Sequence, residues 1–357
     1  MAKYNYNVIG VMSGTSLDGI DLIYATYDVD TNWDFKIHYA ETIKYSTQWK
    51  TVLGGLVNQS MNQLQAIDSE YSEYLATVIS TFIKTYKIED IDFISSHGHT
   101  ALHQPQQGLT YQIGNQQILA DILNKNVICD FRVEDVQLGG QGAPLVPIGD
   151  RLLFNNFNYC LNLGGFANVS FDYKNERIAY DICPVNIVLN HYVAKLNLEF
   201  DDKGQLASTG KVNKDLLLQL NALHYYREQP PKSLGLEWVD INIFPLIESY
   251  NLKTEDILRT FVEHVAIQIS NVLVEKNTRV LITGGGVYNS FLIDRLKHFS
   301  IVEIVIPQNE IIEFKEALIF GLLGVLKKRN EINCLKSVTG AKRNHSSGKI
   351  LIPKNRI

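Results

Sequence analysis

The sequence predicts a two-domain α/β protein, each domain opening on an antiparallel β meander and continuing with alternating strands and helices. Three observations carry this. A strand, a glycine turn, a strand, a short turn and a strand follow one another at the N-terminus, and the same layout returns from Tyr159 to Cys183. Each copy is followed by segments of helical periodicity alternating with short apolar runs, the pattern of packed strand–helix units. The chain has 357 residues, too long for one comfortable core and about right for two.

The first copy starts with the apolar run of VIGVMSGTSLDGID, from Val8 to Asp21. It breaks at a turn rich in glycine, hydroxyl and carboxylate side chains. Such a turn is either an ordinary polar hairpin or a phosphate-binding loop. Glycine lets a backbone approach a ligand closely, hydroxyls and free N–H groups suit phosphate oxygens, and a neighbouring carboxylate suits Mg²⁺. Strands are expected over Ile20 to Tyr27 and Phe35 to Tyr45. Ser46 to Tyr86 reads as helical, with Met61, Leu64, Ile67, Tyr71, Leu75, Val78 and Phe82 on one face. A strand at Ile91 to Ser95 runs into SSHGHTALHQP, a helix covers Gly114 to Asn124, and a strand covers Val127 to Phe131. The segment Arg132 to Pro147 contains GGQGAPLVP, whose glycines and prolines forbid a long helix. It reads as a shaped loop and as the crossing between domains.

In the second copy, strands are expected at Tyr159 to Leu163, Val169 to Tyr173 and Arg177 to Cys183, with a turn over Gly164-Gly165-Phe166-Ala167-Asn168. Helices are expected at Val185 to Leu198, Asn213 to Arg227 and Thr254 to Lys276, the last signalled by Thr254 before Glu255 and Asp256. The strand Arg279 to Thr283 meets Gly284-Gly285-Gly286, and helix, strand and helix run to about Arg329. The tail reads as polar and solvated; its NHSSGKI lacks the spacing of a Walker loop. The expected domains are 1–131, completed by 330–357, and 132–329. Two half-related domains with glycine loops facing a common cleft suit a nucleotide clamp.

Composition narrows the class. With 45% hydrophobic and 20% charged residues and a net charge of −5, the chain lacks the basic field that nucleic acid or an anionic membrane would need. No apolar run is long enough to span a bilayer and no signal segment is visible, so a cytoplasmic protein is expected. Cys129, Cys160, Cys183 and Cys334 form no close pair, which argues against a zinc knuckle or redox dithiol and for buried reduced thiols.

Four motifs in order, GVMSGTSLDGID, DFRVEDVQLGGQGAPLVP, NLGGFAN and TGGGVYN, resemble those of the anhydro-N-acetylmuramic acid kinases. That family belongs to the superfamily of actin, hexokinase and the heat-shock chaperone ATPases (ASKHA). The resemblance runs from Val8 to the EALIFGLLG helix at Glu316 to Gly324. It implies two ASKHA (ribonuclease H-like) domains around an ATP cleft. The implied activity is ATP-dependent, Mg²⁺-assisted opening of the 1,6-anhydro ring of anhydro-N-acetylmuramic acid by water with phosphorylation of O6. The product, N-acetylmuramic acid 6-phosphate, belongs to amino sugar metabolism and peptidoglycan recycling. A homodimer is expected from the family alone.

The resemblance also implies residue roles. Asp181, in DICPVN, matches the catalytic aspartate of a DxGPxN motif and would take a proton from the attacking water; its plain alternative is to cap the following helix. Gly14, Thr15, Ser16, Leu17, Asp18, Gly19, Ile20 and Asp21 would hold the ATP phosphates, with Asp18 or Asp21 near Mg²⁺. Gly164 and Gly165 would oppose them, and Gly284, Gly285, Gly286 and Asn289 would flank the adenosine. His97, Gly98, Arg132, Asp135, Gly139, Gly140, Gln141, Gly142, Asn186 and Glu316 would line the sugar site. Arg132 would pair with the lactyl carboxylate or serve as a structural ion pair; Glu316 reads as the start of its helix and so equally as a solvated or capping residue. Two positions depart from the family pattern: Cys183 and Val185 stand where glycines are usual, and His99 where glutamine is common.

Three rivals remain on sequence. His97 and His99 form an HxH of the kind that holds metal in some hydrolases. A nucleotide-responsive sugar-binding protein without catalysis would keep the loops. A kinase of another anhydrosugar, such as levoglucosan, would share them.

Overall fold

A computed structural model describes residues 3–14, 17–30 and 32–354. The chain divides into two compact units, Met1–Leu153 with Phe314–Ile357, and Phe154–Glu313. The sequence expectation had put the boundaries at 131/132 and 329/330.

In the first unit, β1 (Asn5–Ser13), β2 (Ile20–Val29) and β3 (Trp33–Ile43) form the expected meander. The expected helix over Ser46 to Tyr86 is two helices, α1 (Thr47–Gly54) and α2 (Met61–Thr85). The break comes where Ser60 starts α2 with a capping box to Gln63, a stronger local signal than the apolar stripe running through it. Strand β4 (Phe93–Ser96) pairs parallel to β1 and leads into a hairpin, β5 (His99–Gln104) and β6 (Leu109–Ile113), that periodicity had not disclosed. Helix α3 (Gln117–Leu123), strand β7 (Val127–Cys129) and the short helices α4 (Val133–Gln137) and α5 (Val146–Leu153) follow.

The second unit holds β8 (Tyr159–Leu163), β9 (Phe166–Tyr173), β10 (Glu176–Pro184) and α6 (Asn186–Ala194). The glycine turn is therefore shorter than expected, because Phe166, Ala167 and Asn168 already pair with their neighbours on either side. Helices α7 (Gln205–Thr209), α8 (Lys214–Asn221), α9 (Leu236–Asn242), α10 (Phe244–Glu248) and α11 (Thr254–Ser270) come next. Thr254 is the first helical residue of α11 rather than its cap, a place taken by Lys253 without a side-chain hydrogen bond. Strand β11 (Arg279–Thr283), helix α12 (Ser290–Phe299) and strand β12 (Glu303–Val305) complete the unit.

Helix α13 (Asn309–Lys328) begins at the end of the second unit and runs into the first, where α14 (Lys336–Thr339) and β13 (Lys349–Leu351) close the chain. The tail is thus part of the fold. Lys349 to Leu351 pair antiparallel with β7, and Asn333 and Ser347 are buried and hydrogen-bonded to each other. Its polar letters satisfy buried backbone groups rather than water.

The sheet orders are β13-β7-β4-β1-β2-β3 and β10-β9-β8-β11-β12. Each contains a three-strand antiparallel meander whose first strand is extended on its other side by two parallel strands. This is the ribonuclease H-like arrangement of the ASKHA ATPases, present twice. In the first unit, alternate strand residues Ile9, Val11, Ile20 and Leu22 pack with α2 and α3 on one face.

The other face receives α13, and the approach is close. A methyl on Gly10 would stand 2.3 Å from the Ala317 carbonyl oxygen, and one on Gly324 would stand 2.5 Å from Ser95 Oγ. The Tyr27 hydroxyl donates to the Leu318 carbonyl at 2.6 Å. These contacts explain why residues from 314 onward belong to the first unit. Gly10→Ala is expected to lower stability by about 2–3 kcal/mol, since rigid backbone must move to admit the methyl. A urea melt with a lower midpoint and an unchanged slope checks it.

Candidate active site

In the first unit, the site is built at the ends of β1 and β4. β1 ends on Ser13, whose buried hydroxyl meets Tyr45 Oη at 2.6 Å and His99 Nδ1 at 2.7 Å; Tyr71 Oη donates to it at 3.1 Å. His99, the departure from the family glutamine, is therefore a member of a buried polar network with Tyr71 edge-on to its ring. Burial lowers its pKa to about 4, so it is neutral at pH 7. The turn beyond Ser13 includes Thr15 and Ser16, which lie outside the described residues. Leu17 takes a left-handed φ of 60° and Asp18 is exposed. Gly19 is required by space, because a methyl there would stand 2.7 Å from the Ile43 carbonyl oxygen. Ile20 is wholly buried, so its side chain serves the core, and Asp21 Oδ1 accepts from Thr42 Oγ1 at 2.6 Å.

His97, at the end of β4, has its tautomer fixed by its partners. Arg132 Nε donates to Nε2 at 2.9 Å, so Nε2 holds no proton and Nδ1–H donates to the Gly98 carbonyl at 2.9 Å. Burial, then the Arg132 charge, drive its pKa well below 6.5. Gly98 sits at φ 72° against Ile113 and Asn115, where no side chain fits. Arg132 Nη1 donates to the Gly142 carbonyl at 2.6 Å.

Asp135 is buried and bonded within the protein. Its Oδ2 accepts from Gly142 N–H at 2.7 Å and its Oδ1 from Thr339 Oγ1 at 2.7 Å. It shapes the loop: Gly140 lies against its carboxylate, Gly139 and Gly142 have positive φ, and exposed Gln141 donates its N–H to the Thr339 carbonyl at 2.8 Å.

Glu316 is not at a helix start. It lies in the interior of α13, one residue after Lys315, which makes a buried ion pair with Asp150 at 3.2 Å. Desolvation, with the Asp21 and Asp150 charges, pushes its carboxyl pKa upward, against the pull of Lys315 and Arg132.

In the second unit, two glycine loops meet at adjacent strand ends. β8 and β11 run parallel with Asn162 opposite Thr283, which sets Leu163 beside Gly284, one residue before Gly164. Gly284, at φ 86°, is so close that a methyl would stand 2.6 Å from Asn162 Oδ1, and one on Gly286 would stand 2.7 Å from Leu163 Cβ. Gly165 and Gly285 are exposed. The Gly165 carbonyl accepts the Val185 N–H at 2.7 Å and the Gly164 carbonyl accepts the Asn186 N–H at 3.3 Å, tying the start of α6 to this loop. Asn186 Nδ2 reaches the Leu163 carbonyl at 3.5 Å. Asn289 is a structural cap: its Oδ1 accepts Leu292 N–H at 3.0 Å.

Asp181 lies just before this point, at a bulge in β10. It is half-buried, its Oδ2 accepts Leu234 N–H at 2.9 Å, and it does not cap α6, whose cap position is Val185. Burial raises its pKa and the Leu234 hydrogen bond opposes the rise, which makes it a more basic carboxylate than an exposed aspartate. Cys183 and Val185 are fully buried in the core of this unit, and Val185 has a negative φ. The two departures point inward, away from the open side of the loop.

Sequence reasoning missed Asn162, which lies between the two glycine loops, and Ser13 with Tyr45 and Tyr71. The letters GTS drew attention past Ser13, and the glycines of NLGGFAN drew it past Asn162, the first letter of that motif. The HxH rival fails geometrically: His97 and His99 belong to separate networks and share no carboxylate.

The family model described as anhydro-N-acetylmuramic acid kinase matches residues 6–353. This chain belongs to that family. It is 32% identical to the anhydro-N-acetylmuramic acid kinase of Francisella tularensis subsp. novicida, over 98% of this chain and 99% of that one. It is 33% identical to that of Haemophilus influenzae, over 97% and 98%. Among solved structures, component A of the Acidaminococcus fermentans (R)-2-hydroxyglutaryl-CoA dehydratase is 14% identical over 90% of this chain and 97% of that one, with a TM-score of 0.45, a loose likeness on which nothing is built. As a family member the chain is an ATP-using sugar kinase, a phosphotransferase with an alcohol group as acceptor. Among the described residues, no helix is long and apolar enough to cross a membrane.

His99 gives a pH prediction. Its folded pKa of about 4 lies below the unfolded value of about 6.5, so the unfolded chain binds the extra proton between these values. Stability is present above pH 6.5 and falls as pH drops toward 4, by about 3 kcal/mol from this residue. Urea melts from pH 7 to 4 are expected to be flatter for His99→Gln than for the parent.

Proposed function

We propose that this chain opens 1,6-anhydro-N-acetylmuramic acid with water and transfers the γ-phosphoryl group of ATP to O6, giving N-acetylmuramic acid 6-phosphate. The observation that carries the assignment of chemistry is Asp181. It is a half-buried carboxylate held at a bulge in the strand that leads into α6, with its basicity raised by burial and one oxygen fixed by Leu234 N–H. A base for this step must accept a proton from water, and burial of the carboxylate favours that.

In the second unit, Gly164 and the exposed Gly165 would present backbone to phosphate oxygens, and the loop of Gly284, exposed Gly285 and Gly286 would flank the adenosine, with no side chain to hinder a close approach. Asn289 acts through α12, setting the angle at which the Gly284–Gly286 loop ends. In the first unit, the stretch from Gly14 to Asp21 would hold the phosphates. Exposed Asp18, a hard oxygen donor, would hold Mg²⁺, which neutralises phosphate charge when bound.

Arg132 and His97 form one rigid unit for the sugar. The guanidinium is held by His97 Nε2 and the Gly142 carbonyl, so it keeps fixed charge and direction for the lactyl carboxylate. Gly98, Gly139, Gly140, Gln141 and Gly142 supply the loop around it, with Asp135 fixing its shape. Glu316 is placed to accept from a sugar hydroxyl, and Asn186 fixes the loop that precedes α6. The product is released to the cytoplasm.

Incubation with Mg-ATP and the anhydro sugar is expected to yield a product heavier by one water and one phosphate; the mass of the sugar product checks it. Asp181→Asn is expected to keep KM for ATP nearly unchanged and to lower kcat about a thousandfold or more. Near-parental turnover in that variant would remove Asp181 from the role of base. Removing Mg²⁺ with a chelator is expected to abolish product formation, with recovery when Mg²⁺ returns.

A further inference from the structure

The C-terminal segment carries a cluster that the kinase reaction does not use. Asp135, Cys334 and His345 bring one carboxylate oxygen, one sulfur and one imidazole nitrogen to within 4.8 Å of one another, all buried. They come from α4, the approach to α14 and the segment before β13, so the fold assembles the group from distant parts of the chain.

The imidazole is the telling member. His345 Nδ1 lies 3.1 Å from the Arg343 carbonyl, an atom that only accepts, so Nδ1 carries the proton. Nε2 makes no hydrogen bond and faces Asp135 Oδ1 at 3.5 Å, both atoms enclosed by protein. A bare nitrogen lone pair opposite a carboxylate oxygen is repulsive unless a proton or a metal cation stands between them. The spacing is long for a hydrogen bond but close to the roughly 3.3–3.4 Å that separates two ligands on arms of about 2.0–2.1 Å at a tetrahedral angle. Cys334 adds the soft donor. Its thiol is raised by burial and by Asp135, while the nearby Arg132 charge favours the thiolate.

The outer contacts have the form that metal ligands need. The Nδ1–H of His345 rests on a backbone carbonyl, and Asp135 Oδ1 is held by Thr339 Oγ1 at 2.7 Å. Asp135 Oδ2 remains bound to Gly142 N–H at 2.7 Å.

We propose that Asp135, Cys334 and His345 form a binding site for a divalent zinc-type cation, with water completing a tetrahedron. One thiolate, one imidazole and one carboxylate form a donor set that suits Zn²⁺ and not Mg²⁺. Binding releases the Cys334 proton to solvent. The cation ties the tail to the loop that Asp135 shapes, and its role is structural.

The test uses the full-length chain and the metal alone. Protein stripped with chelator is dialysed against micromolar Zn²⁺, passed through a desalting column and assayed for zinc; a parallel sample takes Co²⁺. The expected result is one metal per chain and a thiolate-to-cobalt charge-transfer band in the near ultraviolet. Cys334→Ser is expected to lose the band, and His345→Gln to lower affinity by more than the roughly 10–100-fold that losing an outer partner such as Thr339 costs. Far-ultraviolet circular dichroism confirms that each variant is folded. Absence of retained zinc and of the cobalt band in the parent protein overturns the proposal and leaves His345 as an imidazolium paired with Asp135. Full stoichiometry in both ligand variants overturns it too. Neither readout depends on kinase turnover, so failure here and failure of the proposed reaction are distinguishable.

Discussion

The seat of α13 on the first sheet is the constraint from which much else follows. Gly10 leaves no room between strand and helix, and Tyr27 and Ser95 each donate a hydroxyl hydrogen bond to a carbonyl of the same helix, at Leu318 and Phe320. The helix cannot slide or roll without breaking these contacts, since packed interiors adjust only by discrete moves. Its first-unit turn is therefore fixed, and with it Lys315 on Asp150 and Glu316 one residue further along. A helix seated this closely on a sheet turns small residues in the sequence into positional accuracy for charged ones.

A second theme is that neutral histidines do the positioning. His97 and His99 are two residues apart on one backbone, yet each is held uncharged by burial and each addresses a different partner, Arg132 and Ser13. A protonated ring at His97 would face the Arg132 guanidinium with like charge. Keeping it neutral lets the cation be held firmly and still retain charge for an anion.

The duplicated architecture was legible because it rests on repetition: a meander, a glycine turn and parallel strands twice over leave a pattern that single-residue errors do not erase. The strands Tyr159–Leu163 and Arg279–Thr283 match expectation to the residue, since apolar runs bounded by turn signals define them sharply. The hairpin His99–Gln104 with Leu109–Ile113 was not legible, because its strands are short and the buried positions include polar letters such as His99, Thr110 and Gln112, which break the apolar alternation. The tail misled for a related reason. Asn333, Ser347 and His345 look solvated in one dimension and are buried in three. Likewise Asp135 and Asn289 looked like ligand contacts and turn out to bond their own backbone, while Asp181, expected either to cap a helix or to act as a base, leaves the cap position to Val185.

The first unit is made from two stretches of chain separated by the whole of the second. During synthesis, Phe154–Glu313 emerges as one continuous piece and can close its core at once. The first sheet, by contrast, leaves the ribosome with the face that will carry α13 still bare, and keeps it so until residues after 314 appear. The order of maturation in this kinase thus departs from the order of translation: the middle first, then the two ends together.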